Sequence, residues 1–191
     1  MKPTEFIINE TIGKTISKYV RDIKTDRKGD RFVFPTFAKN DTELPQITIE
    51  VEGPTFVDVS ASNYLQSETL ANGDYKEYYY KKAIYPVKIF CMTVRGIEYE
   101  VIYDNKKAFM GNKMICDYWS HDVMQQLRIH RDELLLNFDD FKIEGKPESY
   151  EASKVRWTAQ IDCVVTIKEL WVHEYHNGEL IRDYTVSTTI N

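Results

Sequence analysis

Near the N-terminus apolar residues recur at helical spacing. Ile8, Ile12, Ile16, Tyr19, Val20 and Ile23 fall at steps of three and four, which predicts an amphipathic helix through about residue 24. Thr4 is the candidate N-cap, with Pro3 just outside it. Lys24 to Arg31 (KTDRKGDR) is a charged turn, and Phe32, Phe34 and Phe37 around Pro35 suggest a short irregular strand. From Gln46 to Glu52 the period changes to two. Ile47, Ile49 and Val51 point inward and Gln46, Thr48, Glu50 and Glu52 outward, the pattern of a half-buried strand. Gly53-Pro54 ends it, and Val57 and Val59 can resume the pairing. Residues 60–75, polar and closed by an Asn-Gly-Asp turn, are expected to form a mobile loop.

Tyr75 to Arg95 is a second strand region. Its first part, around Tyr78-Tyr79-Tyr80, is amphipathic. Its second part is apolar on both faces, with Val87, Ile89 and Cys91 on one and Phe90, Met92 and Val94 on the other. A run of that kind belongs in the middle of a sheet. Arg95-Gly96 allows a turn, and Tyr99, Val101 and Tyr103 suggest a short returning strand. Ile115, Trp119, Val123 and Leu127, widened by Met114, Tyr118 and Met124, then define a long helix from an N-cap at Asn112 through Leu135. Residues 137–154 read as a connector, acidic through Glu151, with Gly145-Lys146-Pro147 breaking any regular element.

The last segment alternates again. Val155, Trp157, Ala159, Ile161, Cys163, Val165 and Ile167 interleave with polar residues, and Asn177-Gly178 carries the signature of a tight hairpin turn. A two-residue turn there sets Tyr175 opposite Leu180, Trp171 opposite Tyr184, Ile167 opposite Thr188 and Val165 opposite Ile190. The apolar faces of the two arms then coincide, which a one-residue slip would destroy. Glu169, opposite Val186 on the apolar face, is the misfit and predicts a bulge or a sheet edge. The arms are long for strands, so the tip around His176 is expected to project beyond the core.

The order of elements predicts one α+β domain over residues 1–191, with a loop or insert around 53–80. Its mostly antiparallel sheet is packed by the N-terminal helix and the long helix and closes on the C-terminal hairpin. At 191 residues the chain is long enough to fold around one core. The aromatic content is unusual, with 13 Tyr beside 9 Phe and 3 Trp. Both subunit interfaces and sheet surfaces favour Tyr, so this alone does not decide between them. Net charge is −5, without the Lys/Arg excess of a broad nucleic-acid footprint. Lys81, Lys82, Lys88 and Arg95 lie apart in sequence from Asp41, Glu43, Glu50, Glu52 and Asp58. Opposite patches of that kind suit head-to-tail assembly, although solvated strand faces give the same pattern. Cys91, Cys116 and Cys163 have no metal-binding spacing and read as buried hydrophobes of a protein made in a reducing compartment. No apolar run is long enough to span a membrane and no signal core is present.

Catalytic chemistry has little support. His173-Glu-Tyr-His176 is one residue short of a zinc motif, and in a strand its two imidazoles fall on opposite faces. His121 and His130, nine residues apart on the long helix, have no candidate nucleophile close in sequence. Glu144-Gly-Lys146, with Asp122, Asp139 or Asp140 upstream, has the residue types of a magnesium-dependent nuclease. Such sites place the Glu-x-Lys within a strand, whereas here it is expected in a linker. No phosphate-binding loop, dinucleotide fingerprint or nucleophile elbow is present. No catalytic residue, metal ligand or cofactor is therefore assigned. The side chains expected at an oligomer interface are Tyr78, Tyr79, Tyr80, Trp171, Tyr175, His176 and Tyr184.

Four segments in this order carry a resemblance: Glu10 to Asp22 (ETIGKTISKYVRD), Tyr85 to Val94 (YPVKIFCMTV), the helix Asn112 to Leu127 and the final hairpin. Their layout resembles that of phage tail-terminator and tail-completion proteins, and of the neck proteins that join head to tail. It covers most of the chain and transfers no functional residue. The resemblance implies a structural virion subunit that assembles in the host cytoplasm into a ring, a hexamer or similar, at the head–tail junction. Its partners would be further copies of itself, the tail-tube protein and the head-connector protein, with DNA passing through the lumen and no sequence-specific binding. The extra length around 53–80 and 137–154 leaves a head-completion or neck connector as the alternative, beside the nuclease-like enzyme.

Overall fold

The computed structural model describes residues 3–22, 33–34, 44–57, 64–103, 106–153, 156–176 and 179–188. In chain order the elements are α1 (Pro3–Asp22), β1 (Val33–Phe34), β2 (Gln46–Val51), β3 (Thr55–Val57) and β4 (Tyr64–Thr69). β5 (Tyr75–Val94), β6 (Glu98–Tyr103), β7 (Lys106–Gly111), α2 (Asn112–Ile129) and α3 (Arg131–Leu135) follow. The chain closes on β8 (Asp140–Ser153), β9 (Arg156–His176) and β10 (Glu179–Thr188). The fold is α+β, as the alternating periods predict, and the strands form one mostly antiparallel eight-stranded sheet plus the separate β6–β7 pair.

The axis of the sheet is the antiparallel pair β5–β9, in register from Tyr75↔Tyr175 to Val94↔Arg156. At roughly 3.3 Å per residue, the 20 residues of β5 run some 65 Å, several times an ordinary strand. Shorter strands line each flank in succession. β2, β3 and β4 pair in turn with β5, while β8 and then β10 pair with β9. The sheet thus has a proximal half, β2-β5-β9-β8, and a distal half, β4-β5-β9-β10. Pro86 marks the boundary. It sits between the end of β2, at Val51↔Val87, and the start of β3, at Thr55↔Ile84. Its carbonyl accepts the Glu52 N–H at 2.9 Å. The N and O of one strand residue point to the same side, so the donor that proline lacks would have faced the gap between β2 and β3.

The helices pack on the proximal half. Ile8, Ile12, Ile16 and Val20 of α1 and Ile115, Cys116, Trp119, Val123, Met124 and Leu127 of α2 are buried. They meet one face of the sheet, where Ala83, Tyr85, Val87, Ile89 and Cys91 of β5 alternate with outward residues and align with Ala159, Ile161, Cys163, Val165 and Ile167 of β9. Each fully buried aliphatic side chain in this layer contributes about 1.5–3 kcal/mol. The opposite face of β5 is also buried at this end, through Phe90, Met92 and Val94. The two-sided apolar run thus marks the central strand.

Several local expectations differ from the structure. Pro3 is the first residue of α1 rather than a neighbour of it; proline fits there because the first helical N–H groups have no partner in any case. Asn112 likewise begins α2 behind Gly111, without a side-chain cap. The long helix ends at Ile129, and α3 resumes after His130, whose Nδ1 meets Glu133 at 2.8 Å. Met114 lies outside the stripe and is 63% exposed. Gln46 and Thr48 are buried rather than solvent-facing, joined by a 2.8 Å bond from Gln46 Nε2 to Thr48 Oγ1. The returning strand β6 pairs with β7, not with the main sheet.

Two segments expected to be irregular are strands. The 60–75 loop contains β4, which makes a hairpin with β5 through Leu70–Asp74, closed by Gly73 at φ 87°. The connector is β8, paired with β9 along its length. Gly145, Lys146 and Pro147 do not end it. They are looped out as a bulge between Glu144↔Asp162 and Glu148↔Gln160, with Gly145 at φ 71° supplying the bend. Ile23, Lys24 to Phe32, Phe37, Asp41, Glu43, Asp58, Val59, Val155, Ile190 and the Asn177-Gly178 turn lie outside the described residues.

All three cysteines are buried and unbridged. Cys116 donates to the Cys91 carbonyl at 3.1 Å. Burial pushes the thiols of Cys116 and Cys163 up to about 12. Thiolate is the reactive form, so alkylation with iodoacetamide at neutral pH should label none of the three in the folded protein and all three in denaturant. Mass spectrometry reads the result, and fast labelling of the native chain at any of them contradicts this packing.

Candidate functional site

The distal half of the sheet carries the side chains expected at an interface, and the register distributes them over two faces. Tyr75, Glu77, Tyr79 and Lys81 continue the helix-covered face of β5 and stand beside Tyr175, His173, Trp171 and Glu169 of β9. Lys76, Tyr78 and Tyr80 occupy the other face beside Glu174, Val172 and Leu170. Tyr79, Trp171 and Tyr175 therefore share one face, and Tyr78 and Tyr80 the other. Tyr184 pairs with Val172 rather than Trp171. The hairpin keeps the predicted pairing only at its tip, Glu179↔His176 and Leu180↔Tyr175. Shifts at Leu180/Arg182 and Thr185/Ser187 then displace the remainder.

The first face is an interlocked aromatic row. Tyr75 and Tyr175 stack at 4.5 Å with planes 5° apart. Tyr79 lies 4.7 Å from the His173 ring and meets Tyr64 edge-on at 5.7 Å. Its hydroxyl donates to Glu77, and this bond to a carboxylate, helped by burial, raises the phenol well above its ordinary range. Trp171 meets Phe56 edge-on at 5.4 Å, with the Lys81 ammonium 4.1 Å from its ring centre. At the root of the row, Glu169 is buried at 3% exposure. It accepts hydrogen bonds from Tyr85 Oη at 2.9 Å and Trp171 Nε1 at 3.2 Å. The misfit in the alternation is a satisfied buried carboxylate. The bulge lies across the hairpin at Val186, and Glu169 pairs with Thr188.

The tips of the two hairpins are held together. His176 meets the Asp74 carboxylate, and Lys76 bridges to Glu174 at 3.1 Å. The C-terminal tip therefore does not project alone; it extends with the β4–β5 hairpin as one four-stranded arm. Tyr78 Oη donates to Glu68 at 3.0 Å and secures the edge strand β4.

Among the described residues, the register interleaves part of the acidic and basic sets rather than keeping them apart. β2 runs antiparallel to β5, so Glu50 stands opposite Lys88 and Glu52 is ion-paired with Lys88, whose ammonium this carboxylate holds above its usual range. Arg95 pairs with Glu151 at 3.3 Å. These basic groups are engaged within the chain, a cross-strand arrangement that sequence distance conceals.

The side chains singled out for chemistry do not converge. Glu144 lies in a strand rather than a linker, beside Asp162. Asp140 is four residues along the same strand, about 13 Å away, and is engaged by Lys142 at 2.9 Å and Arg131 at 3.6 Å. Asp139 pairs with Lys168 at 3.4 Å. His130 lies against the Tyr19 ring at 5.1 Å, and His121 is exposed on α2. Among the described residues no three His, Cys, Asp or Glu side chains are grouped to hold a metal ion. Among them, too, no helix is long and apolar enough to cross a membrane.

Exposed apolar side chains outside the predicted set stand on the flank of the arm: Phe56, Val57, Tyr64 and Leu65, each between 42% and 48% exposed. Asn72-Gly73, preceded and followed by Tyr-containing runs, carries the same hairpin signature as Asn177-Gly178 and could have located them. No protein-family model and no curated protein matches this sequence.

Proposed function

We propose that this chain is a structural subunit of a tailed-virus particle. It forms a ring at the head–tail junction as a tail terminator or tail-completion protein, and a head-completion or neck connector is the alternative position. One observation carries the assembly reading: half of the main sheet extends past the helices as an arm and exposes apolar side chains. Phe56, Val57, Tyr64, Leu65, Tyr80 and Leu180 are 38–53% exposed. Phe56 and Tyr64 stand on the aromatic face beside Trp171 and Tyr79, and Val57 and Tyr80 on the opposite face, so both faces of the arm offer apolar contact. The interlocked row from Tyr75 to Trp171 gives the arm a fixed shape, which lowers the ordering cost of association. The layout, an N-terminal helix, a sheet, a crossing helix and a closing hairpin, supports the viral assignment. Partners are further copies of the chain and the tail-tube and head-connector proteins. DNA passes the assembled ring without sequence-specific contact, which the net charge of −5 favours.

Light scattering of the full chain at increasing concentration should give a mass several times that of one chain, with ring-shaped particles in negative-stain images. A monomer at high concentration, unaltered by tail-tube or connector protein, would sink the proposal.

A further inference from the structure

We propose that the arm joins edge to edge with a second copy of this chain, β4 of one copy lying antiparallel to β10 of the next. This rests on the assembly reading above and names the contact that builds the ring. Among the described residues no strand pairs with the outer edge of either β4 or β10. β4 is exposed at all six positions. It has neither lysine nor proline, the residues with which proteins usually blunt a free edge.

The two edges stand level on the same sheet. Following the pairings across it, Gln66 aligns with Tyr78, Val172 and Tyr184; Ser67 with Glu77, His173 and Asp183; Glu68 with Lys76, Glu174 and Arg182. Every neighbouring pair in β4-β5-β9-β10 is antiparallel. A head-to-tail copy therefore continues the alternation, with β10 antiparallel to the next β4. This heterologous contact closes into a ring if its rotation closes.

Charge fits the same junction. The row through Glu68 alternates in sign, from Glu68 to Lys76 to Glu174 to an exposed Arg182, and the bridge from Lys76 to Glu174 measures 3.1 Å. A second copy placed on β10 presents its own Glu68 to Arg182, so the alternation continues across the boundary. A β4–β4 contact lacks this partner. The bulges also set limits. The β4 ladder is interrupted at Leu65 and the β10 ladder at Ile181 and Val186. Uninterrupted pairing runs over Gln66–Thr69 in β4 and Arg182–Thr185 in β10, and the rows common to both stretches are Gln66–Glu68 and Arg182–Tyr184, which selects the register proposed.

The test is a disulfide ladder. Gln66→Cys and Tyr184→Cys are introduced singly and together into the full chain, and Ser67→Cys with Asp183→Cys forms a second set. Within one chain the two edges are three strand spacings apart, about 14 Å, beyond the roughly 7 Å limit for a disulfide. The natural cysteines are buried. Mild oxidation of either double variant should give a covalent ladder of oligomers, with at least about tenfold more cross-linked chain than either single variant. Oligomers by light scattering without a ladder, or equal dimer from a single variant, overturn the edge contact and leave the assembly reading standing. A monomer without cross-links overturns both.

Discussion

Trp119→Ala should destabilise the protein by about 3–5 kcal/mol, the usual cost of emptying a buried tryptophan site. Trp119 is 2% exposed at the middle of the α2 stripe, between Ile115 and Val123. It belongs to the core cluster that α2 shares with β5 and β9, where close packing limits how far the neighbours can relax into the void. For a chain of this size the loss corresponds to a fall in Tm of roughly 10 °C. Met114→Ala on the same helix is the control. That side chain is 63% exposed, and its loss should stay within about 0.5 kcal/mol. Denaturant titrations of both variants measure the contrast. A Trp119→Ala cost below about 1 kcal/mol would show that the helix layer does not hold the proximal sheet.

Glu169→Ala should cost about 2–4 kcal/mol through a different mechanism. It removes no large volume, but strands two donors, the hydroxyl of the fully buried Tyr85 and the indole N–H of Trp171. Glu169→Gln keeps an acceptor and should lose about 1 kcal/mol. Tyr85→Phe in the Glu169→Ala background should recover part of the loss, since it deletes a hydroxyl that has lost its carboxylate acceptor. A double-mutant cycle reads that coupling directly. Hydrogen exchange adds location: amides of the distal β5–β9 pairs should lose protection before those of the proximal half. An additive cycle would mean that Glu169 and Tyr85 do not act as one unit.

Where one physical pattern dominated, the fold was legible in the sequence. The helical stripe of Ile8, Ile12, Ile16 and Val20, the two-sided run ending at Val94 and the alternation from Trp157 to Ile167 each dictate an element and its buried face. Legibility failed where tertiary pairing overrode local preference. Gly145-Lys146-Pro147 is punctuation in isolation, yet the ladder on both sides of it is strong enough to carry the three residues as a bulge. The segment Tyr64 to Thr69 has little apolar pattern of its own and becomes a strand because β5 offers an edge to it. Pro86 was the overlooked signal. A proline inside an otherwise central strand demands a place where no donor is needed, and here that place is the seam between the two halves of the sheet. Of the candidate interface, the tyrosines and Trp171 were visible by composition. Their division between two faces follows from the period of two along the unbroken β5–β9 ladder. Only the partner of Tyr184 was hidden, because it depends on shifts in the β9–β10 ladder that the alternation does not specify.

The long β5–β9 pair also governs the order in which the protein can be built. Even its nearest partners in sequence, Val94 and Arg156, are separated by the β6–β7 hairpin, both later helices and β8. On the ribosome, β5 emerges early and can form only its local hairpins with β2, β3 and β4. Its other edge, the apolar stretch from Ile84 to Val94 included, waits for the last quarter of the chain. Such distant pairing carries a high loop-closure entropy and folds slowly. During that interval β5 of one nascent molecule can accept β9 from another. Yield of the native form should therefore depend on keeping chains apart until synthesis is complete, through low expression temperature or a chaperone that shields a bare strand.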